Sequence, residues 1–394
     1  MIYLDIIAYV LAISVSMPLV ILSGECFLSL LPARKQVLGD RFPCAVVVPA
    51  HNEELGIGKT IKNIIGQLRE GDRLVVVADN CTDRTSEIAK NLGAEVVVRT
   101  DNEKRGKGYA LDAGVNYLKE SVLRGTKPPR VVTIMDADCL FDDGALDTLV
   151  RMASEGNRPM QALYLMHASS SATPTNRLSA FAFLTKNLIR PRGLDRIGLS
   201  VPLTGSGMAF PWEVIKDLEL ATSEIVEDLE LGLRLVLEGR GPQFCETARV
   251  DSFFPTTDSA ALAQRTRWEH GYIGQMRRKL PRLLLQSLSG NYYAFAAGLD
   301  LMIPPLSLLV LVAAVVGLVL SGHFIVSPDT IPFRIFIGAC TAAAGSLFAV
   351  WYRFGRRTIS LAEILWIPVY AGRKISLYLA VPFRAEREWK RTER

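Results

Sequence analysis

The sequence predicts an α/β fold carrying transmembrane helices, on three observations. Short β-branched runs alternate with helix-like segments through the middle of the chain, the pattern of a parallel sheet covered by helices. Polar and acidic residues directly follow those runs. Uncharged apolar stretches gather near the two ends of the chain instead of being spread through it.

The β-branched runs are 45–48, 74–78, 95–98 and 131–135, with helix-like segments beginning near Gly58, Thr85 and Gly108. The uncharged stretches are 6–24, 301–322 and 335–352, each near the ~20 residues that cross a bilayer. The first is read as a span and not as a cleaved leader, because Met1 to Asp5 carry no positive charge while Arg34, Lys35 and Arg41 follow it. By the positive-inside rule the long middle segment is then cytosolic. The expected organisation is a transmembrane helix in 1–31, a cytosolic catalytic domain in 32–298, two transmembrane helices in 299–352, and an interfacial helix with a basic tail in 353–394. The stretch 359–381 is apolar but holds Glu363, Arg373 and Lys374, which are costly at bilayer depth, so it is expected to lie along the interface.

Composition excludes other classes. Among 394 residues 49% are hydrophobic and 22% charged, which rules out disorder for the bulk of the chain. The net charge is +5, and from Arg353 onward ten basic residues face four acidic ones. The rest is therefore close to neutral, which argues against nucleic acid as a partner and for a tail that meets membrane lipids. Six cysteines show neither CxxC spacing nor a zinc pattern, as suits a reduced compartment.

In open α/β sheets ligands sit beyond the carboxyl ends of the strands. The residues there are Pro49 to Glu53 after the first run, Asp79 to Asp83 after the second, and Asp136-Ala137-Asp138 after the fourth. Gly58-Lys59-Thr60 imitates the end of a phosphate-binding loop, but the first glycine of that motif is replaced by Glu53. Asp136 and Asp138 offer oxygen ligands of the kind Mg2+ and Mn2+ take. Taken alone, such a pair more often solvates a strand end or caps a helix than holds a metal.

Further along come Arg105-Gly106-Lys107-Gly108, Thr204-Gly205-Ser206-Gly207, Glu227-Asp228, and Gln264, Arg267 and Trp268 in a QxxRW arrangement. In this order, with Asp79 and the acidic pair, they resemble the family 2 glycosyltransferases of GT-A fold. The resemblance is to the membrane-embedded branch with the cellulose, chitin, hyaluronan and poly-N-acetylglucosamine synthases, and it runs from about Val46 to Trp268. It implies a Rossmann-like mixed sheet with helices on both faces.

The resemblance also implies roles. Asp79 would take a hydrogen bond from the base of a nucleotide sugar, with Pro49 and Glu53 lining the nucleoside site and Lys107 facing the diphosphate. Asp136 and Asp138 would hold ribose and a metal, Mg2+ or Mn2+. Asp228 would be the general base that deprotonates the acceptor hydroxyl, although its neighbourhood also reads as an ordinary charged helix face. Gly205, Ser206, Gly207, Glu227, Gln264, Arg267 and Trp268 would serve the acceptor and diphosphate. Trp389, Arg391 and Arg394 would form a gating segment.

The expected function is inverting transfer from a nucleotide sugar, UDP-linked, to a lipid-linked or polysaccharide acceptor in bacterial exopolysaccharide or glycan assembly. The enzyme would sit in the inner membrane, multi-pass, with export or assembly proteins as partners. Three spans are fewer than the polymer-extruding synthases carry, so processive synthesis is the runner-up, and a polyprenyl-phosphate sugar synthase, which would lack QxxRW, stands behind it.

Overall fold

The computed structural model describes residues 2–34, 38–156, 158–168, 173–255 and 258–380. In chain order the first elements are α1 (Ile2–Ser29), β1 (Cys44–Ala50), α2 (Ile57–Ile65), β2 (Arg73–Asp79), α3 (Thr85–Asn91), β3 (Glu95–Arg99) and α4 (Lys107–Leu123). There follow β4 (Val131–Ile134), β5 (Leu140–Phe141), α5 (Ala145–Glu155), β6 (Met160–His167), α6 (Pro174–Leu184), α7 (Arg190–Arg196), β7 (Met208–Pro211) and α8 (Trp212–Ile215). The remainder is α9 (Glu227–Leu237), β8 (Gln243–Phe253), α10 (Asp258–Ser287), α11 (Tyr292–Leu301), α12 (Leu306–Val326), α13 (Ile331–Val350) and three short helices.

The described chain forms two compact units. One takes 34–167 and 199–271, the other 2–33, 168–198 and the described residues from Tyr272 onward.

The first unit is built on a sheet ordered β3-β2-β1-β4-β7-β6-β8-β5. Valines dominate β1 to β4, and β-branched side chains pack well on a pleated surface. These four strands run parallel, as the alternation predicts. The other half departs from that expectation: β7 is antiparallel to both β4 and β6, and β5 to β8, so the sheet is mixed. Pro49 is tolerated in the central strand β1 because the ladder with β4 ends at Val47↔Ile134, before its missing N–H matters. On α4, Leu111, Val115 and Leu118 recur at helical spacing and are buried with Val47, Val75 and Val77 of the sheet. Each such side chain stabilises the fold by about 1.5–3 kcal/mol.

In the second unit α1, α12 and a helix running from Ile331 to Gly355 are long and apolar enough to cross a membrane. Ala8, Ala12, Val15, Leu19 and Leu22 form one stripe of α1, buried with Leu309, Val316 and Leu320 of α12 and Phe336, Ala339 and Ala343 of α13. The small alanines let the helix backbones approach closely.

Several charges in and beside these helices are partnered. Asp5 Oδ1 lies 2.8 Å from His323 Nε2 and accepts from Ser327 Oγ at 2.9 Å. Arg190 is buried between two acids, with Nε 2.9 Å from Glu25 Oε2 and Nη2 2.7 Å from Asp300 Oδ1. Arg192 Nε donates to Ser29 O at 2.7 Å, a cation on the last carbonyls of α1.

The ambiguous stretch 359–381 contains short helices of 4, 6 and 6 residues, Leu361–Ile364, Ile367–Gly372 and Ile375–Ala380, too short to span a bilayer. Its charges sit at helix ends or on partners. Glu363 closes a capping box with Ser360, and Lys374 Nζ donates to Ser307 Oγ at 3.2 Å.

Candidate active site

The loops after β1 and β2 hold one another in place. Asn52 and Asn80 have φ of 55° and 51°, a left-handed backbone that asparagine accepts more readily than most residues. Asn52 Oδ1 accepts from Thr82 N at 2.7 Å, and Glu53 N donates to Thr85 Oγ1 at 2.8 Å. His51 Nδ1 lies 2.7 Å from Asp79 O. Asp79 is buried, and its Oδ1 accepts from Arg99 Nη1 at 2.6 Å. Arg99 was not singled out from the sequence. Its signal is the ladder register, which sets it opposite Asp79 at the ends of β3 and β2.

The Asp136-Ala137-Asp138 turn follows β4 and is braced from three sides. Thr60, the decoy residue, is buried and donates through Oγ1 to Ala137 O at 2.7 Å. Asp136 N donates to Ser206 Oγ at 3.1 Å, and Ser252 Oγ to Asp138 Oδ2 at 3.2 Å. Ligand atoms of Asp136, Asp138 and Cys139 all lie within 4.8 Å of one another. Burial pushes the Cys139 thiol up to about 12. It stays a thiol beside Asp138, its Sγ 3.6 Å from Oδ1. Asp136 and Asp138 bring carboxylate oxygens to this cluster, the ligands that Mg2+ and Mn2+ take.

Lys107, the first residue of α4, points its ammonium at this turn. Nζ is 2.5 Å from Asp136 Oδ1, 3.5 Å from Glu227 Oε1 and 2.7 Å from Gly205 O. Burial opposes its charge, but the facing carboxylates of Asp136 and Glu227 outweigh that and hold its pKa above the ordinary lysine value. Glu227 is pushed up to about 7, by burial first, with Asp228 adding to the rise and Lys107 opposing it. Glu227 and Asp228 open α9, where the helix dipole favours negative charge. Gly205 has φ +91°, and a Cβ there would stand 3.2 Å from Asp228 Oδ2 and 3.4 Å from Lys107 Nζ. That places Lys107, Asp136, Gly205, Glu227 and Asp228 around one point. Asp138 and Ser206 are tied in through the turn.

Gln161 is a residue that the sequence reading missed. It is buried in β6, its Nε2 donates to Ser206 O at 2.9 Å, and its Oε1 accepts from Thr204 N at 2.9 Å, so one amide shapes the whole 204–207 segment. A polar residue at a buried strand position was the available signal.

On α10, Gln264 and Arg267 are buried and Trp268 half-buried. A Cβ on Gly271 would lie 2.9 Å from Val226 Cγ1, so this end of α10 packs against the residue preceding Glu227. Gln264 Oε1 and Thr204 Oγ1 are buried with no hydrogen-bond partner among the described residues. Trp389, Arg391 and Arg394 lie outside the described residues.

Sheet order, acidic turn and helical unit together define a GT-A fold joined to apolar helices. The chain belongs to the family 2 glycosyltransferases: a family model described as "Glycosyltransferase like family 2" matches residues 42–271. A 4,4'-diaponeurosporenoate glycosyltransferase of Staphylococcus haemolyticus is 29% identical over 203 residues, 48% of this chain and 50% of the relative. The match thus spans about half the length of that relative. A dolichyl-phosphate hexose transferase of Haloferax volcanii is 29% identical over 178 residues, 44% of this chain and 69% of its own. Among solved structures, a mannosyltransferase from Pyrobaculum calidifontis in complex with GDP-Man and Mn2+ has the same fold, at a TM-score of 0.54 and 15% identity, covering 97% of this chain and 100% of that one.

Proposed function

We propose that the chain transfers a sugar, with inversion, from a UDP-linked donor to an acceptor held in the membrane, as a step of exopolysaccharide or glycan assembly. The observation that carries this reading is the meeting of Lys107, Asp136, Gly205, Glu227 and Asp228 beyond the strand ends, with Asp138 beside them.

In this reading Asp136 and Asp138 hold Mg2+ or Mn2+, which supplies charge neutralisation for the leaving diphosphate. Asp79 and the Pro49 to Glu53 loop receive the nucleoside, and Lys107 meets the diphosphate. Asp228 takes the proton of the acceptor hydroxyl as its oxygen bonds to the anomeric carbon and the bond from that carbon to the diphosphate breaks. Gln264 Oε1 and Thr204 Oγ1, buried and orphaned, suit polar groups of acceptor or diphosphate, since leaving such atoms unmatched costs about 1–3 kcal/mol each. Arg267 and Trp268 belong to the same neighbourhood.

Three helices able to cross a bilayer favour a membrane-held acceptor and an enzyme anchored in the cell membrane with its sheet unit in the cytosol. Two relatives whose names carry diaponeurosporenoate and dolichyl phosphate support a lipid acceptor.

The test is a panel of UDP- and GDP-linked sugars given to the purified full chain in native-lipid vesicles, scored by nucleotide release and by label in the lipid fraction. One donor should give both signals, both should stop in excess EDTA, and Mg2+ or Mn2+ should restore them. Full transfer in EDTA would remove the metal from the reading, and label in a high-molecular-weight polymer would replace single transfer by chain synthesis.

A further inference from the structure

The position of Lys107 bears on how metal and nucleotide bind. Its Nζ lies 2.5 Å from Asp136 Oδ1, against one of the two carboxylates proposed above for the divalent ion. The same ammonium is 2.7 Å from Gly205 O and 3.5 Å from Glu227 Oε1, so it lies between the carboxyl groups of Asp136 and Glu227. The backbone behind it is pinned. A Cβ on Gly108 would meet Leu220 O at 2.6 Å and Thr222 O at 2.8 Å, which shows how closely the start of α4 lies against the 220–222 segment. Only the flexible four-carbon stem of Lys107 is able to move the charge.

We propose that Lys107 is a stand-in cation for Asp136, and that it makes divalent-metal binding conditional on a nucleoside diphosphate. Without nucleotide the ammonium neutralises Asp136 and repels an arriving Mg2+ or Mn2+. When a diphosphate binds, its oxygens draw the ammonium off Asp136 and leave that carboxylate to the metal. The two ligands then strengthen each other's binding by the same factor, as linkage requires. The inference rests on the reading that Asp136 and Asp138 are the metal ligands.

Phosphate oxygens also ligate metal, so cooperativity in the wild type does not by itself single out Lys107. The discriminating quantity is Mn2+ affinity without nucleotide, read by electron paramagnetic resonance on the full chain in detergent, with UDP and GDP as the added nucleotides. Lys107→Gln and Lys107→Met should each bind Mn2+ at least about tenfold more tightly than wild type when no nucleotide is present, and should gain less from UDP or GDP. Lys107→Arg, which keeps the charge, should stay at the wild-type level. Either uncharged variant suffices if the other does not fold. Unchanged Mn2+ affinity in the uncharged variants, with Mn2+ binding still lost in Asp138→Ala, would overturn the stand-in role and leave the metal site intact. An equal rise in Lys107→Arg would overturn it too. Mn2+ binding untouched by Asp138→Ala would overturn the metal assignment and this inference together.

Discussion

Gln161 and Ser206 are joined by a single buried hydrogen bond of 2.9 Å, from the Gln161 amide nitrogen to the Ser206 carbonyl. The oxygen of the same amide takes Thr204 N, so the loop that presents Gly205 to Asp228 and Lys107 is held by a strand residue through neutral hydrogen bonds.

Gln161→Leu should therefore act through position. It leaves Thr204 N and Ser206 O without this partner and should destabilise the sheet unit by about 1–3 kcal/mol. Transfer should fall by up to about a hundredfold, with the loss mainly in kcat. Gln161→Glu, which keeps the acceptor for Thr204 N, should recover part of it. Thermal unfolding and steady-state kinetics check both, and a leucine variant with wild-type kcat would show that the loop holds its shape unaided.

Asp228→Asn should abolish transfer while nucleotide binding survives. The amide has the size of the carboxylate but accepts no proton, and loss of a general base typically costs about 10²–10⁴ in rate. Calorimetry with UDP should give the wild-type affinity. A variant keeping a tenth or more of the activity would take the role away from Asp228.

Glu227 supplies a pH dependence whose sign is fixed. Burial lifts it from 4.5 to about 7, so the fold favours its neutral form. Its contribution to stability is present in full below its unfolded pKa and is lost as pH rises through about 7. Glu227→Gln, permanently neutral, should match the wild-type melting temperature at acid pH and exceed it by several degrees at pH ~8. A difference that does not change with pH would mean that Glu227 does not titrate in this range.

Half of the sheet was legible because its strands are nearly pure β-branched runs. The runs read at 45–48, 74–78, 95–98 and 131–135 are β1 to β4 with ends shifted by at most two residues. The other half was not, since β6 and β8 mix Gln161, Glu246, Arg249 and Asp251 with apolar residues and draw their burial from one another. The acidic turn was marked by its place after a β-branched run, and Lys107 and the Glu227-Asp228 pair through the resemblance to family 2 glycosyltransferases. Their supports were not, because Thr60, Arg99, Gln161 and Ser252 become meaningful only when the fold brings distant segments together: Thr60 and Ala137 are 77 positions apart. The partners of the charges at the two ends of α1 were hidden for the same reason. Asp5 and Glu25 look like limits of an apolar run, yet α1 includes both, since His323, Ser327 and Arg190 receive their charges.

The bridge from Glu25 through Arg190 to Asp300 also carries a consequence for biosynthesis. Arg190 is 165 positions beyond Glu25, and Asp300 another 110 beyond Arg190. At about 5–20 residues per second, α1 waits roughly 15–55 s after its own synthesis before the triad is complete. For the first 165 of those positions Glu25 has no arginine, and for the remaining 110 the helical unit has Arg190 but still lacks Asp300. β8 ends at Phe253, so the ribosome finishes the whole sheet before the helical unit acquires its last buried acid, and a chain stalled between Phe253 and Asp300 would carry strands β1 to β8 together with helices whose buried arginine has only one of its two carboxylates.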